Sequence, residues 1–304
     1  MNTRPRVGLV FISLCLIWGS TFAALKTGLE GTPPLFGVAL RHLLASLLLF
    51  LIIYWRKYPI PLDRLAIKQY LTVGLLNFSL SYSLTYFGTQ FIYSNISALL
   101  WSSIPITTAL AAHFSLPGER LSFMKGLGIL VGFGGVALIF LGYGFGTSEN
   151  LVLGMSLVMG AVLAGTWPSV YLKRHSARAN PVVLNAVATG IGGLTTLLGS
   201  LALESPSSMI WSPLNIGIIL FLGVFGTVLA WVSFFYLLER MEVVKLSFVG
   251  FIAPIIALFM GMVILGEVLS STAFLGAFLV LFGVFITDAR SYLRLGRLIG
   301  KMRD

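Results

Sequence analysis

The chain has 304 residues, of which 57% are hydrophobic and only 10% are charged, and its mean hydropathy is +0.96. A soluble domain of this length cannot bury so many apolar residues, so the composition indicates an integral membrane protein. The formal net charge of +10 does not indicate a nucleic-acid partner. Its Lys and Arg residues fall in short breaks between apolar runs, not in one basic patch.

Several chemistries have no support in the sequence. The single cysteine, Cys15, lies inside the first apolar run, so an intramolecular disulfide is impossible. Cys and His residues show no metal-ligand spacing, and no Ser/His/Asp set, carboxylate pair or phosphate-binding loop can be assembled. We therefore expect no metal, no cofactor and no enzymatic activity, and we assign no catalytic residue.

Ten apolar runs follow one another along the chain, each long enough to cross a bilayer or nearly so, and each ending at Gly, Pro or a charged residue. They are apolar around their whole circumference, as helices in lipid or in a bundle are. The sequence thus predicts an all-α membrane protein with ten transmembrane helices. The runs are roughly 7–25, 35–55, 70–89, 96–116, 123–141, 151–172, 182–203, 216–238, 243–265 and 273–287, numbered run 1 to run 10.

The basic residues predict the orientation. If the N-terminus is cytoplasmic, all of the 20 Lys and Arg residues except Lys26 and Arg41 fall on the cytoplasmic side. Such a bias is typical of the cytoplasmic loops of membrane proteins. Both termini are therefore predicted to be cytoplasmic.

A sequence repeat divides the chain into two halves. The segment LPGERLS before run 5 is echoed by LGEVLS before run 10, and one fixed offset superposes six pairs. Since each half has five runs, the second must enter the membrane from the opposite side, which makes the repeat inverted. The predicted domains are a first repeat at 1–145, a second at 146–288, and a basic amphipathic tail at 289–304. The superposed pairs are Gly118 with Gly266, Glu119 with Glu267, Leu121 with Leu269, Ser122 with Ser270, Gly128 with Gly276, and Gly135 with Gly283.

This arrangement resembles a known family. The segment WGSTF at 18–22, Arg41 in run 2, and proline-bearing runs 4 and 9 with a GE pair after each are similar to the EamA-type carriers of the drug/metabolite transporter superfamily. The resemblance implies a multi-pass protein of the cell inner membrane. It also implies export of small polar metabolites, with amino acids the commonest substrates of bacterial ten-helix members.

Run 3 carries more hydrogen-bonding side chains than a lipid-facing helix would. Asn77 and three hydroxyl residues follow at intervals of four, with Tyr82 and Tyr86 beside them, so one face of the helix is polar and aromatic. Such a face can line a substrate cavity, or it can make hydrogen bonds between helices. We favour the cavity for Asn77, Tyr82 and Tyr86, and interhelical bonds for the serines.

Three interior tryptophans are further candidates for substrate contacts. Trp167 lies in the middle of run 6 next to Pro168, which can open the helix near the midplane, and we expect it to be the main substrate contact. Trp101 lies near the start of run 4, and Trp18 lies in run 1. An aromatic cavity with few charges suits amino acids with apolar or aromatic side chains, or an organic cation.

Arg41 is the one charge inside an apolar run, and such residues are functional by default. It can capture a substrate carboxylate, but it lies near the outer end of run 2, from where its side chain can also extend to the membrane surface. The ten acidic residues fall at run ends, loops and the tail. Glu119 and Glu267 stand at the starts of runs 5 and 10, where the helix dipole favours negative charge and Ser122 or Ser270 can cap. They are our candidates for coupling or gating.

The glycines of runs 5 and 10 predict a closely packed scaffold pair away from the cavity. We expect an alternating-access exporter of small metabolites, amino acids above all. A drug or organic-cation efflux carrier is the alternative carrier, and a non-transporting membrane enzyme or assembly subunit is the alternative of another class. The expected partners are the substrate and the lipid bilayer, with the chain a monomer or a weak homodimer. The sequence leaves open the exact substrate, the direction of net transport, the coupling ion and the more stable conformation.

Overall fold

The computed structural model describes residues 4–115, 123–142, 149–175, 180–238, 249–268 and 270–300. Within these ranges the chain forms helices and no strand. The helices of the first half are α1 Arg4–Gly28, α2 Pro34–Arg56, α3 Arg64–Thr72, α4 Tyr82–Phe91, α5 Ser94–Trp101, α6 Ile104–Ser115 and α7 Phe123–Gly142. Those of the second half are α8 Glu149–His175, α9 Pro181–Leu203, α10 Pro213–Gly223, α11 Ala230–Leu238, α12 Val249–Leu265 and α13 Ser271–Gly300, with a 3-10 turn at Pro206–Ser208.

Two π-helical segments join helices of these halves. The first, Val73–Ser81, connects α3 to α4, and the second, Val224–Leu229, connects α10 to α11. A π-helical turn inserts an extra residue, shifts the hydrogen-bond register, and occurs frequently at functional sites. Run 3 and run 8 are therefore each one long helix with a π-helical segment near its middle.

Each of the ten runs is helical over the residues that the structure describes, except at Ser102 and Ser103 in run 4. Run 3 begins earlier than predicted because Asp63 caps α3, its carboxylate accepting from the backbone N–H groups of Leu65 and Ala66. Run 4 is split into α5 and α6 at Ser102 and Ser103, whose hydroxyls donate to carbonyls of the preceding turn. Helix α13 continues past run 10 to Gly300.

Six helical stretches of the described chain are long and apolar enough to cross a membrane, and three shorter ones are also apolar. This supports a multi-pass membrane protein. The number of crossings and the side on which each terminus lies stay predictions. The six stretches are Val7–Gly28, Pro34–Arg56, Ser94–Ser115, Asn150–His175, Pro181–Leu203 and Pro213–Phe234, and the three shorter ones are Gly126–Ile139, Ile252–Leu265 and Ser271–Gly283.

The helices pack mainly across the two halves. Helix α2 packs on α9, α1 packs on α12 and α10–α11, and α8 packs on α4, α5 and α6. The first π-helical segment lies against α8 and α9, and the second lies against α2. Each half therefore contributes to the surroundings of the other, and side chains at the centre of the bundle come from both.

Helices α7 and α13 form the predicted close pair. A side chain at Gly135 would lie 2.6 Å from the carbonyl oxygen of Gly276, and one at Gly283 would lie 2.6 Å from that of Gly128. Small residues at such positions let two backbones approach closely in a membrane. The prediction of a glycine-based scaffold pair is confirmed.

We expect Gly135→Ala to destabilise the protein by about 1–3 kcal/mol, because the added methyl group would collide with the α13 backbone. Gly134→Ala is the matched control, since a side chain there meets nothing within 4 Å. The control should leave stability unchanged or raise it by up to about 1 kcal/mol, through the higher helix propensity of alanine. Thermal unfolding of the purified variants in detergent measures both, and equal midpoints would contradict the packing described here.

Candidate functional site

Arg41 lies inside the bundle, between the halves. Its side chain is 3% exposed, so it does not extend to the membrane surface. Nε donates to the hydroxyl oxygen of Thr227 at 2.7 Å, and Nη2 donates to the carbonyl oxygen of Gly226 at 3.0 Å. The centre of the guanidinium group lies 4.9 Å from the centre of the Tyr82 ring, a cation–π distance. The partners that the described residues give this cation are all neutral.

The local sequence of the second π-helical segment makes this contact possible. Gly226 has no side chain, and a Cβ atom there would lie 3.1 Å from Nη2 of Arg41. The hydroxyl of Thr227 donates to the carbonyl of Leu222 at 2.9 Å, five residues earlier, so its oxygen is free to accept from Arg41. A glycine and a threonine in a π-helical turn thus form the binding surface for the guanidinium.

Aromatic rings continue from Tyr82 into the centre of the bundle. Tyr82 meets His42 edge to face at a centroid distance of 4.7 Å, and His42 meets Phe78 at 5.2 Å. Phe78 in turn meets Trp231 at 5.8 Å, and Trp231 meets Trp18 at 5.7 Å. These rings come from α1, α2, α11 and the run-3 helix, and we call them the aromatic cluster. The cluster contains two predicted contacts, Tyr82 and Trp18.

The polar face of the run-3 helix is buried as a continuous stripe of Asn77, Ser81, Thr85 and Thr89. Ser81 donates to the carbonyl of Ala161 in α8 at 2.7 Å, an interhelical bond of the kind predicted for the serines. Thr85 and Thr89 donate to carbonyls one turn back. The stripe therefore serves helix packing along part of its length.

Trp101 joins this stripe. Its indole Nε1 donates to the hydroxyl oxygen of Thr85 at 3.2 Å. Gly165 of α8 faces the same place, because a Cβ atom there would lie 3.1 Å from Ser81 Oγ, 3.4 Å from Asn77 Oδ1 and 3.5 Å from the Trp101 ring. Asn77 and Trp101, both predicted from sequence, thus meet beside a residue that has no side chain.

Trp167 lies elsewhere. It is 44% exposed and follows Gly165 by two residues, which puts it on nearly the opposite face of α8. Leu163, four residues before it, is 56% exposed, so both belong to one outward stripe of the helix. The neighbouring Thr166 points inward and shares a hydrogen bond with Thr107 at 2.7 Å. The structure therefore does not bring Trp167 together with the other predicted contacts.

Tyr86 lies beside Arg41 and is buried. Both residues line a small cavity of about 10 Å³, together with Thr32, Gly37 and apolar residues of α1 and α10. A cavity of this size is at the lower limit for holding one water molecule. The described conformation therefore has room near Arg41 for water but not for a metabolite.

Glu267 and Lys26 hold the break between α4 and α5. The Glu267 carboxylate, 6% exposed, accepts from the backbone N–H groups of Ser94 and Asn95 and from the Ser94 hydroxyl, at 2.6 to 3.0 Å. The Lys26 ammonium donates to three carbonyls at the end of α4, those of Thr89, Gln90 and Ile92, at 2.8 to 3.1 Å. An acid at the start of one helix and a base at the end of the other agree with both helix dipoles.

Glu267 was expected to interact with the start of the helix that follows it, and this expectation needs a correction. Ser270 caps its own helix, α13, as predicted, since its hydroxyl oxygen accepts from the N–H of Ala273. Glu267, in contrast, caps α5 of the other half. Gly266 before it adopts a left-handed φ of 64°, which glycine allows without strain. Glu119, the other acid of the pair, lies outside the described residues.

Sequence reasoning missed the partners of Arg41. Thr227 and Gly226 lie in an almost wholly apolar run and are separated from Arg41 by more than half of the chain. The one signal was a Gly–Thr pair in the middle of run 8. The ring of His42 is fully buried and packs against the rings of Phe78 and Tyr82.

A family profile and the sequences of individual proteins both match nearly the whole chain, and both belong to transporters. The sequence profile of the EamA-like transporter family matches residues 6–141 and again residues 152–287. The uncharacterized transporter YoaV of Bacillus subtilis is 30% identical over 92% of this chain and 96% of its own length. The uncharacterized inner membrane transporter YedA of Escherichia coli is 25% identical over 95% and 92%.

A solved crystal structure shares the fold. It superposes with a TM-score of 0.68 over 93% of this chain and 98% of its own, at 18% sequence identity. At that identity the likeness concerns the fold alone. The family therefore follows from the sequence matches, and the helical arrangement is one that an experimentally determined structure also has.

We expect Glu267→Gln to destabilise the protein by about 1–3 kcal/mol. The amide keeps the size of the side chain but loses the charge and one of the acceptors that hold the start of α5. Glu30→Gln is the control, because Glu30 is exposed in the turn that follows α1. Thermal unfolding in detergent should show a lower midpoint for the first variant and an unchanged one for the second; an unchanged midpoint for both would mean that the cap is dispensable.

Proposed function

This chain belongs to the EamA-like transporter family and is a multi-pass membrane transporter, and we propose that it exports small metabolites with a carboxylate group. Amino acids with apolar or aromatic side chains are the first substrates to test. The proposed location is the cell inner membrane, which is also the location given in the name of the inner membrane transporter YedA. The proposed mechanism is alternating access between two inverted repeats, residues 1–145 and 146–288.

The burial of Arg41 with neutral partners is the observation that carries this proposal. A cation buried away from water is costly unless charge or hydrogen bonds compensate it. Gly226, Thr227 and Tyr82 supply hydrogen bonds and a ring face but no negative charge. An incoming carboxylate supplies that charge, and guanidinium binds carboxylates in a well-defined geometry. Arg41 is therefore suited to select substrates with a carboxylate.

The surroundings of Arg41 suit the rest of an amino acid. The aromatic cluster begins at Tyr82, in contact with the guanidinium, and offers ring faces and edges to an apolar or aromatic side chain. Asn77 of the first π-helical segment and Trp101 of α5 add polar groups beside Gly165. We propose Trp18, Arg41, Asn77, Tyr82, Tyr86 and Trp101 as substrate-binding residues, contributed by α1, α2, α4, α5 and the first π-helical segment.

Arg41 also argues against the alternative carrier function. An organic cation would have to approach a buried positive charge in a medium of low dielectric constant, where repulsion between like charges is strong. The ring of Tyr82, an obvious cation–π partner, already faces the guanidinium. Efflux of organic cations is thus less compatible with this site than export of carboxylates.

Three features support two inverted repeats as moving units. The family profile matches the chain twice, and each matched region contains one π-helical segment. Contacts also occur in equivalent pairs, because Gly135 meets Gly276 and Gly128 meets Gly283. Exchanging each glycine for the one superposed on it in the repeat converts the first contact into the second. Such an exchange is expected of two halves related by a two-fold axis.

Glu267 is proposed to gate the outer side. It ties the α12–α13 turn to the start of α5, while Lys26 ties α1 to the end of α4. Opening between these elements would require the bonds to break. Whether Glu119 has the corresponding role on the cytoplasmic side is tested by replacing each acid with Gln and comparing transport from either face.

We expect Arg41→Gln to raise the half-saturation concentration for L-phenylalanine roughly 10–100-fold, which corresponds to the loss of a hydrogen bond to a charged group. Arg41→Lys should recover only part of the lost affinity, because an ammonium group lacks the planar set of N–H donors with which guanidinium binds a carboxylate. Arg56→Gln, at the exposed end of the same helix, is the control. Counterflow of labelled L-phenylalanine in proteoliposomes measures all three. Normal transport by Arg41→Gln would remove Arg41 from the site.

Trp101 and Trp167 form a matched pair for a second test. Trp101→Phe removes the indole bond to Thr85, and we expect the half-saturation concentration to rise about fivefold, equivalent to about 1 kcal/mol. Trp167→Phe changes a residue of the outward stripe and should leave transport within about twofold of wild type. The reverse result would mean that Trp167, not Trp101, contacts the substrate. The same counterflow assay decides between them.

A further inference from the structure

Thr227 makes two hydrogen bonds at once, one within its own helix and one to α2. Its hydroxyl oxygen accepts from Nε of Arg41 at 2.7 Å, and its proton goes to the carbonyl of Leu222 at 2.9 Å. The residue is 1% exposed. The bond to Leu222 fixes the direction of the hydroxyl proton, so the oxygen must present a lone pair to Arg41.

The π-helical register determines which carbonyl receives the proton of the Thr227 hydroxyl. Other buried threonines of the bundle donate to carbonyls three or four residues back, as Thr85, Thr166, Thr189 and Thr196 do. This is the usual behaviour of threonine in a helix. Thr227 instead reaches five residues back, because the second π-helical segment has an extra residue in the turn. Its oxygen thereby faces α2.

We propose that Thr227 is the positioning residue of the Arg41 site and, through Arg41, sets the preference for a carboxylate. This inference rests on the proposed function. An arginine side chain has several rotatable bonds and five N–H donors in one plane. Thr227 holds Nε and Gly226 holds Nη2, which fixes that plane. The remaining donors of the guanidinium then have one orientation in which to receive a substrate carboxylate.

The position of Tyr82 agrees with this role. The ring lies 4.9 Å from the guanidinium centre, so Arg41 is held between the second π-helical segment and a ring on α4. Without the Thr227 hydroxyl, Nε would lose its acceptor inside the protein and the guanidinium could turn about its stem. Carboxylate binding would then be weaker although the charge is still present.

The experiment compares two ligands that differ only in the carboxylate. Counterflow of labelled L-phenylalanine in proteoliposomes is inhibited with unlabelled L-phenylalanine or L-phenylalaninamide, and the ratio of their half-inhibitory concentrations measures carboxylate preference. Thr227→Val replaces the hydroxyl with a methyl group at nearly constant volume. Thr227→Ala removes both the hydroxyl and the methyl group of threonine. We expect both to reduce the preference about tenfold, with a higher half-saturation concentration and an unchanged maximal rate.

Two variants serve as controls. Thr227→Ser keeps the hydroxyl and should retain the wild-type ratio. Thr196→Val removes a buried hydroxyl that bonds only to its own helix, at Gly192 and Gly193, and should also retain it. Thermal unfolding of each purified variant separates a change in preference from a loss of fold.

The outcomes distinguish this inference from the function on which it rests. If Thr227→Ala and Thr227→Val keep the wild-type ratio while Arg41→Gln loses it, Thr227 has only a packing role and the inference is overturned. If the wild-type protein does not transport L-phenylalanine or does not prefer it to the amide, the proposed substrate class is overturned. If Thr196→Val loses the ratio as Thr227→Val does, the effect is general destabilisation and the inference fails.

Discussion

Backbone groups in a hydrocarbon layer must find partners within the protein, and this constraint explains several of the helix ends that the structure describes. At the break between α4 and α5, Lys26 donates hydrogen bonds to carbonyls at the end of α4, and Glu267 accepts hydrogen bonds from N–H groups at the start of α5. At the start of α2, the carboxylate of Glu204 accepts from the N–H groups of Leu35 and Phe36. Lys26, Glu204 and Glu267 thus bind backbone groups where the helical hydrogen-bond pattern is incomplete.

The partners in these contacts come mostly from the opposite half of the chain. Glu204 and Glu267 belong to the second half and cap helices of the first, and Arg41 belongs to the first and binds a π-helical turn of the second. A helix end satisfied in this way is complete only when the two halves are together. The contacts that make each half stable are therefore the same ones that any relative movement of the halves must rearrange.

Hydropathy was enough to predict where the described part of the chain is mostly helical, because length and apolar content are properties of single segments. Glycine spacing likewise predicted the α7–α13 pair. The face on which a residue lies was harder. Depth along run 6 suggested that Trp167 lines the cavity, whereas the structure puts it on the stripe of Leu163, since orientation around a helix that is apolar on all sides leaves no trace in its sequence.

Contacts between distant segments could not be predicted from one sequence. Glu267 stands at the start of α13, and its own helix dipole seemed a sufficient partner, yet the left-handed turn at Gly266 directs it to α5. Thr227 looked like an ordinary hydroxyl in an apolar run. Its importance depends on a π-helical turn and on an arginine 186 residues away, and neither has a local signature that hydropathy can detect.

If Arg41 binds the substrate as proposed, its electrostatics connect stability to transport. Among the described residues its partners, which include a carbonyl, a hydroxyl and a ring face, are neutral, so burial of the charge is incompletely compensated. A carboxylate that binds there gains attraction in a medium of low dielectric constant and also stabilises the contact between α2 and the second π-helical segment. Because a ligand can shift an equilibrium only through its different affinity for the two states, a substrate held at this contact would favour the conformation in which the halves meet at Arg41.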